Sequence, residues 1–331
     1  MLVSICMPTY NGEKYIADAI QSALNQTYAD FELLVSDDCS TDLTADIVRE
    51  FMRRDDRIHY WRNDSRLGLF PNYNECMTQC KGDLIKPFAQ DDLLSPKALE
   101  IMVSAYTSNK VSLVCCGKNI LNDSPSSFSE VVETVLPAGL TKGRTVIEEC
   151  LRSYRNLVGE PVAVLFDAKK VGKGFSESYY SLGDLEFWFR ILQKSDLFHV
   201  PEELVSFRQH PESTTFKKLE DMTWVLDFFR LGKEYAEHVH RIGMTEEEVF
   251  VGYLERAGEL IDRLVTTNEL KVKNLSGFKE VAFYSMRRAA QLAAKGRAYD
   301  ALVNSTSWRI TSPLRYIKTR IDNNAEFDRK I

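Results

Sequence analysis

Strand-forming and helix-forming runs alternate through the first 116 residues, and that alternation limits the fold more than any other feature of the sequence. Residues 2–7 read as a buried strand ending at Pro8-Thr9-Tyr10-Asn11-Gly12. Tyr15, Ile16, Ala19, Ile20, Ala23 and Leu24 then recur at helical spacing. A second strand over 31–36 ends in Asp37-Asp38, and a helix over 45–53, a strand near 58–61 and a helix near 72–79 follow. A strand over 83–88 ends in Asp91-Asp92, and Ser95-Pro96 opens a helix over 98–106, since proline is comfortable in a first helical turn. A strand over 111–116 completes the series. Strands linked by helices need crossover connections, which are right-handed and build a mostly parallel, doubly wound sheet. The expected fold class is therefore α/β with a Rossmann-like sheet.

Sheets of this kind bind ligands outside the carboxyl ends of their strands, which is where both acid pairs fall. Adjacent carboxylates repel unless a cation or ligand hydroxyls share the charge, and Mg²⁺ or Mn²⁺ is commonly held by one or two carboxylates together with substrate phosphates. An isolated Asp-Asp is explained equally well as an acidic helix start. No GxGxxG follows the first strand and no GxxxxGK[ST] occurs, so dinucleotide-binding and P-loop readings lose their main support. A formal net charge of −6 argues against a general nucleic-acid binder. The short apolar start lacks a preceding basic region and is not expected to be a signal peptide. No apolar run approaches the length of a bilayer span. Seven cysteines form no pair of CxxC motifs, and a reducing cytoplasm is the expected setting.

More specific is an ordered set of markers: Pro8-Thr9-Tyr10-Asn11, Ser22-x-Leu24-x-Gln26-Thr27, Asp37-Asp38-x-Ser40-Thr41-Asp42, then Gly68, Asn74 and Gly82 ahead of Asp91-Asp92. Together they cover most of residues 2–96, and the set resembles the inverting glycosyltransferases of family 2; Ser305-x-Ser307-Trp308-Arg309-Ile310-Thr311-Ser312-Pro313-Leu314-Arg315 resembles a segment near the ends of those of bacterial surface-polysaccharide assembly. That resemblance implies a GT-A fold and a nucleotide-sugar donor, UDP- or dTDP-linked. It makes Pro8, Thr9, Tyr10, Asp38, Gly68, Asn74 and Asp91 nucleotide-binding candidates. An aspartate such as Asp38 can accept the imide N–H of uracil or thymine with charge assistance. It also implies Asp92 and His210 as ligands of Mn²⁺ or Mg²⁺.

Downstream, Asp184, Trp188 and Arg190 match the family's aromatic-rich helix, which implies Asp184 as the catalytic base. Glu186 is the fallback, turned away from Asp184 by helical geometry. Glu160, Trp188 and Arg208 are acceptor- or sugar-binding candidates. Three departures from the family pattern stand out. Gln90 replaces a frequent acid, Tyr73 a frequent cation for which Arg66 is a substitute, and Gly183 the first acid of a Glu-Asp pair.

The expected organisation is a glycosyltransferase domain over 1–216, with a nucleotide half of about 1–117 and an acceptor half of about 118–216. An α-helical part over 217–331 follows. Residues 118–143 show no clear period and read as a surface loop; helical patterns run over 222–236, 246–265 and 278–294. Between residues 297 and 320, five cations are interleaved with Trp308, Ile310, Leu314, Tyr316 and Ile317. This is the composition of a segment lying in a membrane interface, a candidate for peripheral contact at the inner face of the membrane. The expected acceptor is a glycan or a polyprenyl-diphosphate-linked sugar. Neither the transmembrane helices nor the QxxRW motif of processive family members is present. The rival readings are a sugar-1-phosphate nucleotidyltransferase, which needs a basic Gly-rich loop after the first strand, and a catalytically degenerate scaffold, suggested by Gln90 and Gly183.

Overall fold

The computed structural model describes residues 1–122, 136–210, 224–246, 248–249 and 252–253. The predicted alternation is present: β1 (Val3–Thr9), α1 (Ile16–Leu24), β2 (Phe31–Asp37), α2 (Thr44–Met52), β3 (Ile58–Arg62), α3 (Leu69–Thr78) and β4 (Leu84–Pro87). There follow β5 (Leu93–Leu94), α4 (Ala98–Asn109), β6 (Leu113–Asn122), β7 (Gly139–Thr141) and α5 (Gly143–Ser153). The last elements are β8 (Val164–Asp167), α6 (Gly183–Leu192), β9 (Leu197–Gln209), α7 (Trp224–Glu234) and α8 (Ala236–Arg241).

The strands form one sheet in the order β3-β2-β1-β4-β8-β6-β9-β5, with β7 also on β9. β3, β2, β1 and β4 pair in parallel. β8 is wedged antiparallel between β4 and β6, β9 runs parallel to β6, and β5 and β7 pair antiparallel with β9. β5, β7 and β8 thus run against the other strands, and the sheet is mostly parallel.

Because successive strand side chains point to opposite faces, each central strand feeds two cores. Ile5, Leu33, Leu84, Val114 and Leu165 meet α1 and α4 on one face. Cys6, Leu34, Ile85, Leu113 and Phe166 meet α3, α5 and α6 on the other. Leu231 of α7, Val239 of α8 and Tyr235 between them are buried in that second cluster, so these helices complete its layer.

One expectation is corrected. Residues 118–122 are not loop but the continuation of β6, and 139–141 form β7. Pairing with β9 carries the strand past a register shift at Gly117, where a Cβ would sit 2.7 Å from the Pro201 carbonyl. Residues 123–135 of that expected loop lie outside the described residues, as do most of the helix over 246–265 and all of 278–294 and 297–320. Among the described residues no helix is long and apolar enough to cross a membrane.

Candidate active site

The carboxyl ends of β1, β2 and β4 lie side by side, and Gln90 ties two of them together. Its Oε1 accepts from the Tyr10 backbone N–H at 2.9 Å and from the Thr9 hydroxyl, while its Nε2 donates to the Tyr10 carbonyl at 3.1 Å. A carboxylate could not make the last bond, so neutral Gln90 anchors the loop after β1. At the end of β2, the buried Asp38 carboxylate accepts from the backbone N–H groups of Leu67 (2.6 Å) and Gly68 (2.9 Å). Gly68, at φ 96°, is in a region that favours glycine and stands at the N-cap of α3. Exposed Arg66 lies over the Tyr10 ring, 3.9 Å from its centroid, and so brings a cation to this mouth. Tyr73 is buried and packs on Phe175. Pro8 is a buried strand residue paired with Ser36.

Beyond β4, Asp91 and Asp92 are bound to the far end of β9. Asp92 Oδ1 accepts from the Arg208 backbone N–H at 2.9 Å, and Arg208 Nε donates to the Asp91 carbonyl at 2.9 Å. His210 Nε2 lies 2.9 Å from Asp91 Oδ2. The imidazole therefore pairs with Asp91, not Asp92; its Nδ1 is buried with no hydrogen-bond partner among the described residues. The rings of Tyr15 and His210 are 4.9 Å apart, and the Arg208 guanidinium lies 4.7 Å from the Tyr15 centroid. Asp92 is 2% exposed, and burial, then the Asp91 charge, pushes its carboxyl well above the usual range. Burial favours the protonated form, while the repulsion from Asp91 is what a cation would relieve.

Among the described residues no three His, Cys, Asp or Glu side chains converge as a complete metal cage. A Mg²⁺ or Mn²⁺ that takes one or two carboxylates and completes its shell with substrate phosphates and water needs no such cage. The Asp91-Asp92 edge fits that donor set.

Two groups that sequence reasoning did not single out stand behind this edge. Lys86 is 0% exposed, with Nζ donating to the carbonyls of Val162 and Pro87 (the latter at 3.2 Å). Burial pushes its amine down to about 8, partly offset by its neighbours Cys116 and Asp92. The visible signal was a lone cation inside an otherwise apolar strand. Lys118 donates to Glu160. Burial would raise the Glu160 carboxyl, but the Lys118 ammonium outweighs it and holds it below its usual range. Glu160 in turn is close enough to raise Asp92.

From Glu160 a short chain of contacts leads to Asp184. Asn156 Oδ1 accepts from the N–H groups of Val158 and Gly159, while its Nδ2 donates to the Gly159 carbonyl (3.1 Å) and to Asp184 Oδ2 (3.3 Å). Asp184 is half-buried in the first turn of α6, and its Oδ1 also accepts from the Leu185 N–H at 2.8 Å. Glu186 is 2% exposed, bonded to Arg190 Nε at 2.7 Å, and unsuited to meet a substrate.

Two expectations are corrected by packing. Trp188 is 0% exposed, stacked with Phe187, its Nε1 donating to the Gly159 carbonyl at 3.1 Å; it offers a sugar no face and instead holds the 156–159 turn. Asn74 has both ends of its amide on the Phe175 backbone, at 2.7 and 2.9 Å, so it ties α3 to the chain ahead of α6. The remaining sites fall into three linked groups: Pro8, Thr9, Tyr10, Asp38 and Gly68; Asp91, Asp92, Arg208 and His210; Glu160 and Asp184.

The sequence matches the family model "Glycosyl transferase family 2" over residues 4–157. An uncharacterised protein of Mycobacterium tuberculosis is 31% identical over 221 residues, covering 64% of this chain and 68% of that protein. The UDP-Glc:α-D-GlcNAc-diphosphoundecaprenol β-1,3-glucosyltransferase of Escherichia coli is 35% identical over 149 residues, 45% of this chain and 56% of that enzyme. Among solved structures, Staphylococcus aureus TarS 1–349 with UDP-GlcNAc superposes with a TM-score of 0.60 at 15% identity, over 90% of this chain and 93% of that one. At that identity the match is one of fold.

Proposed function

Because this chain belongs to glycosyl transferase family 2, we propose that it is an inverting, non-processive glycosyltransferase. Its donor is a UDP- or dTDP-linked sugar, and its acceptor is a hydroxyl of a glycan or polyprenyl-diphosphate-linked sugar in surface-polysaccharide synthesis. The observation that carries the reading is the half-buried Asp184, oriented by Asn156 and joined through Gly159 and Glu160 to the acids at the β4 end. The E. coli relative's UDP-Glc donor and lipid-diphosphate acceptor support the substrate class.

Thr9, Tyr10, Asp38 and Arg66 line the mouth that receives the base and ribose, with Gln90 keeping the Tyr10 loop in place. Asp92, flanked by Asp91, would hold Mg²⁺ or Mn²⁺ against the donor diphosphate; when bound, the ion supplies charge stabilisation for the leaving nucleoside diphosphate. Arg208 and His210 bring further cationic or hydrogen-bonding capacity to the same edge. Asp184 takes the proton of the acceptor hydroxyl as its oxygen attacks the anomeric carbon from the face opposite the leaving group. Displacement from that face inverts the anomeric centre. The segment 297–320 is proposed as the peripheral membrane contact, which would bring a soluble catalytic domain to a lipid-carried acceptor.

The test is a transfer assay with purified full chain, Mn²⁺, and UDP-glucose, UDP-N-acetylglucosamine, UDP-galactose or dTDP-glucose as donor, with α-D-GlcNAc-diphosphoundecaprenol as acceptor. Nucleoside diphosphate release that depends on acceptor supports the reading. Formation of nucleotide sugar from sugar-1-phosphate and UTP would instead select the nucleotidyltransferase alternative.

A further inference from the structure

The helix that carries Asp184 has a capping problem of its own. The first N–H groups of a helix have no intrahelical acceptor, and a Ser, Thr, Asp or Asn at the N-cap normally supplies one. In α6 the N-cap is Leu182, which makes no side-chain cap bond. The turn that leads into the helix is held instead from 45 residues further on, in α7. Asp227 accepts from the backbone N–H groups of Tyr180 (3.0 and 3.1 Å), Ser181 (2.5 Å) and Leu182 (2.9 Å). Its side chain is 0% exposed. A carboxylate is costly in such a place, and burial does raise its affinity for a proton, against which the three N–H donors and Arg230 pull it down.

Asp227 does not act alone on this turn. Tyr179 donates to Glu234 Oε2 at 2.9 Å, and the Arg230 guanidinium lies 5.4 Å from the Tyr179 centroid. Positions 227, 230 and 234 share one face of α7, and all of them meet residues 179–182. Phe70 of α3 also presses on Gly183, where a Cβ would be 2.6 Å from its ring. The backbone entering Asp184 is thus held from both α3 and α7, with Asn156 fixing the carboxylate.

We propose that Asp227 is a positioning residue for transfer: it anchors the turn that enters the Asp184 helix from another helix, and so makes α7 part of the catalytic apparatus. The proposal rests on the reading of Asp184 as the base. Misplacing a reacting group by about 1 Å can cost on the order of 100-fold in rate, so this anchor matters to chemistry and not only to folding.

The experiment compares full-length wild type, D227A, D184N and D184N/D227A. Transfer is assayed from UDP-glucose, UDP-N-acetylglucosamine and UDP-galactose to α-D-GlcNAc-diphosphoundecaprenol, with rates normalised to UDP-binding sites measured by calorimetry. The expected result is a kcat lowered about 10–100-fold in D227A. Donor KM and UDP affinity should stay within about twofold of wild type, since β1, β2 and β4 build the nucleotide edge. D227A should add nothing to the residual rate of D184N. Unchanged kcat per binding site in D227A, or an equal further loss in the D184N background, overturns the proposal while leaving the base assignment standing. Full activity in D184N overturns the base assignment, and this proposal with it. If D227A yields no folded protein, D227N replaces it. Its amide oxygen keeps one acceptor, and the expected outcome is a smaller kcat loss with faster hydrogen exchange at the Tyr180–Leu182 amides; wild-type exchange there overturns the proposal.

Discussion

The ring of Phe70 occupies the space a side chain on residue 183 would need: a Cβ built on Gly183 would meet Phe70 Cε2 at 2.6 Å. The family resemblance implies an acid at this position, and Phe70 on α3 leaves no room for one. Phe70 stacks on Phe175 with ring centroids 5.5 Å apart, in the core under α6. The expected effect of Gly183→Glu is therefore a stability loss of about 1–3 kcal/mol from overpacking. Phe70→Ala in the same chain should recover part of it. Urea denaturation of the single and double variants checks this; additive losses would mean the two positions are independent.

Much of this could be read from the chain, and the limits have physical causes. The strand–helix alternation to residue 116 was legible because each element carries its own periodicity, as in Ile16, Ala19, Ile20 and Ala23 of α1. The insertion of β8 between β4 and β6 was not, because strand order is set by contacts far apart in sequence. The strand character of 118–122 was hidden for the same reason: its polar residues take their conformation from β9. At the site, strand-end residues such as Asp92 and Tyr10 were legible as a set. Trp188 was misread because an aromatic in a helix gives no sign of whether it faces a ligand or the core. Asn156, Lys86 and Asp227 carry no motif, and only folding brings them to their partners.

Asp184→Asn is expected to lower kcat by roughly 10²–10⁴-fold, the usual contribution of a general base, with UDP affinity nearly unchanged. Glu186→Gln should leave transfer within a few-fold, because that carboxyl is buried against Arg190. Steady-state rates of both variants decide the assignment; the reverse pattern would make Glu186 the base.

Asp92→Ala should abolish the Mn²⁺-dependent part of UDP binding, and Asp91→Ala should weaken it less, since Asp91 already has His210 as a partner. Calorimetry with Mn²⁺ and with EDTA measures this. Equal UDP affinity in wild type under the two conditions would contradict metal dependence.

Lys86 predicts a pH effect of definite sign. Its amine is near 8 in the folded chain against 10.5 for a free lysine, so between those values the unfolded state binds more protons and stability rises with pH. Other groups titrate in the same range, and Lys86→Met isolates this one. The stability of wild type relative to the variant should shift in favour of wild type by roughly 3 kcal/mol between pH 8 and 10.5. The shift should appear whatever the difference is at pH 7. A difference that does not change with pH would mean that the buried amine is not depressed.

Displacement at the anomeric carbon with Asp184 as base fixes the configuration of the product. Proton NMR of the sugar transferred from an α-linked UDP-sugar to α-D-GlcNAc-diphosphoundecaprenol by the purified chain reads it from the anomeric signal. A β-linked product is predicted; an α-linked product, or none from any nucleotide sugar tried, contradicts the account.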